Sequence, residues 1–193
     1  MGKYSEGQAE QFEGVGRAIV SASDPHHKAI LANYQQHLAL EQGGRYEEIF
    51  SRGLIVPNPR YQIGGGGDEN VYEGAEAVKG WYHSLKDAVA VLLNEKLAVA
   101  DWGFSSWSDL IEFVPGEQMA ARGLEVDDTA RTYLLKSNQA MFWMYNSAAI
   151  LKGEIIYVVN KPSVEPADAN DTLTKAMMIE QCEPYFEGAR AVV

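Results

Sequence analysis

The chain has 193 residues, 46% of them hydrophobic and 22% charged, a normal balance for one globular domain with a real core. Its 27 acidic residues outnumber 16 basic ones for a net charge of −11, which argues against nucleic acid or an anionic membrane as partner. The single cysteine, Cys182, excludes an internal disulfide and a cysteine-based metal cluster.

No apolar run reaches the roughly 20 residues of a membrane span, and the polar stretch from Met1 to Glu13 lacks the apolar part of a signal peptide. A cytoplasmic address is the expectation. Residues 1–22 read as a loosely attached lead-in, in which Phe12, Val15, Ala18, Ile19 and Val20 could dock a short helical turn. Asp24 then caps a helix whose first position is Pro25, and Gly43-Gly44 stops it. Along this helix Ile30, Leu31, Tyr34, His37, Leu38 and Glu41 recur at spacings of three and four, so a phenol, an imidazole and a carboxylate share the buried side. A second, shorter helix covers 45–52. An extended segment follows at 54–61, where Pro57 and Pro59 demand a sheet edge or a bulged strand. The run Gly64 to Gly67 has neither phosphate-loop nor dinucleotide spacing and reads as a flexible loop. A third helix spans about 74–86, with Val78, Trp81, Tyr82 and Leu85 as its apolar stripe.

Beyond residue 88 the period becomes that of strands: 88–100, 104–114, 130–145 and 150–160, with a polar loop at 117–129 and a turn at 146–149. A polar linker leads to a last helix, capped by Asn170 or Asp171 and running to about Tyr185. Helices followed by antiparallel strands make an α+β domain. In the final hairpin the turn sets Tyr145 opposite Ile150, Asn138 opposite Tyr157, Lys136 opposite Val159 and Met141 opposite Glu154. Alternation then gives two faces. The more uniformly apolar one, with Lys136, Asn138, Phe142 and Tyr157, is expected to face the helices. The other would present Tyr133, Met141, Trp143, Tyr145 and Ile156 outward, a patch that a homodimer or homotrimer would cover.

This arrangement predicts a cavity with Lys136 and His37 for proton transfer or charge stabilisation, and Tyr61 closing it from the proline-containing strand. Tyr34, Asn138 and Tyr157 would hold substrate oxygens, and Trp81, Trp102 and Phe142 would stack on rings. Each has a plainer reading: a core histidine, packed tyrosines, and a lysine paired with a carboxylate such as Glu41. No nucleophile elbow and no His-Glu-x-x-His pair occurs, and the adjacent His26-His27 make a poor chelate. Acid–base chemistry without a metal or other cofactor is the expectation.

The segments Asn33-Tyr34-x-x-His37-x-x-x-Glu41, Gly44-Arg45-Tyr46-Glu47-Glu48-Ile49-Phe50, Tyr72-Glu73-Gly74-Ala75-Glu76-Ala77-Val78 and Gly153-Glu154-Ile155-Ile156-Tyr157 resemble the nuclear transport factor 2-like superfamily, and within it the SnoaL-like polyketide-cyclase group. The resemblance covers about residues 25–160 and implies a cone-shaped, curled antiparallel sheet packed on three helices around a pocket, with 161–193 as a C-terminal extension. The same fold hosts cyclases, isomerases, dehydratases, hydrolases and binding proteins. The last strand lacks the Asp of the isomerases and cyclases. The length, the tail and the aromatic content look like the sphingomonad lyases that remove formaldehyde from lignin-derived diarylpropanes without a cofactor. The resemblance thus implies a lyase acting on a small aromatic substrate. A cyclase, dehydratase or isomerase, or a module that binds the same kind of ligand without turnover, are the alternatives.

Overall fold

The computed structural model describes residues 2–64 and 70–190. Its first element is α1 (Lys3–Ser21), a 19-residue helix that buries Tyr4, Phe12 and Val15, so the expected loose lead-in is instead part of the core. Next is α2 (Pro25–Gln42), with Asp24 accepting the amides of His26 and His27 and Pro25 in the first turn. The imidazoles of both histidines meet Asp101, His27 Nε2 at 2.9 Å from its carboxylate and His26 Nε2 at 3.1 Å from its carbonyl. They fasten the start of α2 to a distant turn.

The short α3 (Tyr46–Ser51) leads into β1 (Ile55–Ile63), then β2 (Val71–Glu73) and α4 (Ala75–Ser84). The expected loop at Gly64 to Gly67 falls mostly outside the described residues. The long strands are β3 (Ala90–Ala100), β4 (Gly103–Pro115), β5 (Thr132–Tyr145) and β6 (Leu151–Val158). Two stretches read as irregular are ordered: α5 (Gly116–Ala121) lies in the expected 117–129 loop, and β7 (Ser163–Pro166) lies in the expected linker. The last helix, α6 (Lys175–Cys182), is capped by Thr174 rather than by Asn170 or Asp171.

The strands form one curved, unclosed sheet in the order β2-β1-β6-β5-β4-β3, with β7 alongside the first half of β5. All pairs are antiparallel except β1 with β6, whose register shifts between Ile55 and Arg60, where the two prolines interrupt the ladder. Gly153 lets β1 approach, since a side chain there would place its first carbon 1.9 Å from the Arg60 carbonyl oxygen. The main core lies between the inner face of the sheet and α1, α2 and α4, with Phe12, Ile30, Leu31, Tyr34, Val78 and Phe104 fully enclosed.

The hairpin differs from expectation in register and in facing. A bulge between Met144 and Tyr145 moves the pairing by up to two residues, so Trp143 faces Glu154, Met141 faces Ile156 and Ala140 faces Tyr157. The buried face carries Ser137, Gln139, Met141, Trp143, Tyr145 and Glu154. Lys136, Asn138, Phe142 and Tyr157 stand on the outer face. The residues proposed as an outward patch, Tyr133, Met141, Trp143 and Tyr145, are therefore interior. Apolarity pointed the wrong way because the inner face lines a cavity and keeps polar groups there, while the outer face is the greasier one.

Candidate functional site

A cavity of about 290 Å³ opens between α2, α4 and the inner face of the sheet. Leu38, Leu85, Leu92, Leu110, Met141 and Ile156 make most of its wall, with Tyr34, Trp81 and Trp143 as its aromatic surfaces. Mostly apolar walls with a few polar groups are the usual make-up of a small-molecule site. The polar groups here are Glu41 and Gln42 at the end of α2, Glu112 of β4, Gln139 of β5 and Glu154 of β6.

Register explains how Glu154 comes to be there. Phe104, Trp143, Glu154, Tyr61 and Tyr72 lie in one row across β4, β5, β6, β1 and β2. Glu154 is 1% exposed, and among the described residues neither of its carboxylate oxygens has a hydrogen-bond partner. Burial, with the Glu41 carboxylate nearby, pushes its pKa well above the usual range. Burial raises Glu41 to about 7, with Lys175 acting in the opposite direction. The Glu41 carboxylate disfavours ionisation of Glu154, so the proton is held most firmly there. The indole Nε1 of Trp143, directly across from Glu154, is also buried and has no partner among the described residues. A buried carboxyl and a buried N–H, neighbours in the sheet and both unsatisfied by the chain, are groups that a ligand would complete.

Behind the carboxylates runs a chain of hydrogen bonds. His37 Nε2 lies 2.7 Å from the Tyr82 hydroxyl, which lies 2.6 Å from that of Tyr61. His37 Nε2 is also 3.9 Å from Glu41. Desolvation lowers His37 to about 3, so its imidazole is neutral at physiological pH. Tyr34 donates to Glu95 at 2.8 Å, and its ring packs on Phe104 and Trp143.

The residues anticipated from the sequence thus divide. Tyr34 and Trp81 line the cavity, and His37 and Tyr61 stand just behind it. Lys136 is elsewhere: it pairs with Glu165 of β7 on the outer face, and that carboxylate raises its pKa rather than burial lowering it. Asn138, also outside, donates to Asp109 at 2.7 Å. Phe142 and Tyr157 are exposed on the outer face, and Trp102 is exposed in the β3–β4 turn, so none of these three touches the cavity. Sequence reasoning missed Glu154, Trp143, Gln139 and Tyr82. The one signal for Glu154 was a lone acidic residue between apolar neighbours in the last strand.

No family model matches the chain, and no curated protein does. Solved structures do match. A protein of Xanthomonas campestris pv. campestris assigned as a polyketide cyclase aligns with a TM-score of 0.50 at 9% identity, over 69% of this chain and 93% of its own. A protein of Jannaschia sp. CCS1 assigned as a SnoaL-like polyketide cyclase gives 0.48 at 12% identity, over 71% and 90%. The epoxide hydrolase/cyclase-like enzyme SalBIII, of pyran ring formation in salinomycin, gives 0.43 at 13% identity, over 77% and 94%. At such identities the likeness is one of fold. The fold is the nuclear transport factor 2-like one that the sequence resemblance implied, with a curved open sheet and helices on its inner face.

Proposed function

We propose that the protein is an acid–base enzyme, working with its own side chains, on an apolar aromatic small molecule that carries hydroxyl groups. The observation that carries this reading is Glu154, a buried carboxyl with both oxygens unpartnered on the wall of a small-molecule-sized cavity. Structural carboxyls are partnered; an unpartnered one in a cavity has its burial cost met by use. Its environment and that of Glu41 differ, and pairs of carboxyls set apart in this way divide the acid and base roles. Glu154 is the acid, protonated at neutral pH; Glu41, at about 7, is partly ionised there and is the base. Trp143 Nε1–H binds the substrate oxygen beside Glu154. His37, Tyr82 and Tyr61 hold the rear of the site.

The finer reading is removal of formaldehyde from a phenolic diarylpropane diol to give a stilbene. Glu154 gives its proton to the benzylic hydroxyl, the carbon–oxygen bond breaks with its electrons on the departing water, and loss of the phenolic proton leaves a quinone methide. Glu41 takes the proton of the hydroxymethyl O–H. The carbon–oxygen double bond of formaldehyde forms, the carbon–carbon bond breaks, and its electrons make the stilbene double bond while the ring becomes a phenolate that regains a proton. The products are stilbene, formaldehyde and water, and a proton passed from Glu41 to Glu154 resets the pair.

Incubation with such a diol, with formaldehyde and stilbene measured, tests this. Release that falls by about 10²–10⁴ in Glu154→Gln supports it. Turnover without formaldehyde would point to the cyclase, dehydratase or isomerase alternative, and saturable binding without product to a binding module. As to assembly, the outer face of the sheet presents Trp107, Phe142 and Tyr157, and we propose it as the homo-oligomer surface. Trp107→Glu should lower the mass seen by light scattering to that of one chain; a wild-type monomer at micromolar concentration would end that proposal.

A further inference from the structure

Lys175 is the first residue of α6. Its ammonium donates to the carbonyl oxygen of Gln42 at 3.2 Å and of Ala88 at 3.3 Å. Gln42 ends α2 and Ala88 precedes β3, and both line the cavity. One cation from the C-terminal segment therefore ties two walls together at the cavity's end. A cation on the last carbonyls of a helix is favourable in itself, and that alone would make Lys175 a cap.

Its bond to the carbonyl of Gln42, the residue after Glu41, gives it more to do. Around the Glu41 carboxyl stand His37 on its own helix, Tyr46 of α3, Tyr61 of β1, Tyr82 of α4 and Glu154 of β6, while Asp87 after α4 acts on Tyr46 and Lys175. The imidazole and the phenols are neutral, and the remaining groups are acidic. Among the described residues Lys175 is the cation whose charge acts on Glu41, opposing the desolvation that would otherwise keep it protonated. The lysine is itself half-buried; desolvation lowers its pKa below the ordinary lysine value, with Cys182, Glu41 and Asp87 acting the other way.

We infer that Lys175 is a positioning residue of the site: it holds the end of α2, and Glu41 with it, against the entry to β3 and sets a positive charge on the carbonyl of the residue after Glu41. The C-terminal segment is then a working part of the cavity. This rests on the acid–base reading given above.

Three variants separate charge from scaffolding. Lys175→Gln removes the charge but keeps an amide donor for the carbonyls, Lys175→Arg keeps the charge, and Glu41→Gln removes the titrating group. In Lys175→Gln the acid limb of the kcat/KM profile should move up by about one pH unit. At a fixed pH on that limb the rate should be about tenfold lower. Lys175→Arg should restore the wild-type profile, and Glu41→Gln should abolish the limb. The Glu41 carboxyl can also be titrated directly, by infrared difference spectra of each protein against its Glu41→Gln counterpart, which needs no turnover. An unmoved Glu41 titration in Lys175→Gln, with or without a drop in melting temperature, would overturn the inference and leave Lys175 a helix cap. A shifted titration in a protein without turnover would uphold the Lys175–Glu41 coupling and instead refute the enzymatic reading.

Discussion

Replacing Glu154 by Gln should make the protein more stable at neutral pH and about equally stable in acid. The side chain is wholly enclosed, and its carboxyl is driven well above the ordinary 4.5 by desolvation, with Glu41 acting the same way. In the unfolded chain the same group ionises near 4.5. An acid whose folded pKa is raised binds more protons folded than unfolded, so stability is full below the unfolded value and falls as pH climbs towards the folded one. Each pH unit between 4.5 and the raised folded value costs about 1.4 kcal/mol, so the advantage of the glutamine protein grows as pH climbs through that window. Glutamine is neutral throughout, similar in shape, and leaves the same polar atoms unpartnered, so the gain isolates the titration. For a chain of this size that slope corresponds to roughly 3–6 °C in Tm for each pH unit. Urea unfolding of both proteins at pH 4 and pH 7 would measure it. Equal stabilities at pH 7, or a difference that does not change with pH, would mean that Glu154 is ionised in the fold and cannot be the acid proposed. Stability gained together with turnover lost is the usual signature of a group kept for function.

His37 titrates in the opposite sense: its folded pKa is lowered to about 3 from 6.5, so its contribution is present above 6.5 and lost as pH falls. Wild type should lose about 1.4 kcal/mol per pH unit over that window, and His37→Gln should flatten the slope. An unchanged acid slope would mean that the imidazole is not enclosed. Tyr82→Phe removes the hydroxyl between His37 and Tyr61 and orphans both, which should cost about 2 kcal/mol. Thermal melting within a degree of wild type would argue that the chain of bonds is not made. Lys136→Met should leave turnover unchanged and cost less than about 1 kcal/mol, because it removes a partly exposed pair with Glu165 outside the cavity. A large loss of rate with an intact fold would return Lys136 to the catalytic role expected of it from the sequence.

Much of this protein is decided locally. Asp24 and Pro25 start α2 and Gly43 ends it because capping and backbone freedom act over a few residues. The periods of three to four and of two set helices before strands, and with them the fold class. The same local reading brought His37, Tyr34, Tyr61 and Trp81 to the interior, each by its place on an apolar stripe or strand. What it could not supply is the facing of β5 and β6. Alternation defines two faces of a strand but is symmetric as to which is inside, and the choice is made by helices packed from elsewhere in the chain. A face that lines a cavity carries Ser137, Gln139 and Glu154, whereas the exposed face carries Phe142 and Tyr157, so local apolarity favours the wrong one. The bulge at Met144 and Tyr145, which brings Trp143 opposite Glu154, exists only in the paired ladder. The chemistry of Glu154 is likewise tertiary, for its raised pKa comes from enclosure by α2, α4 and β1, none of them near it in sequence.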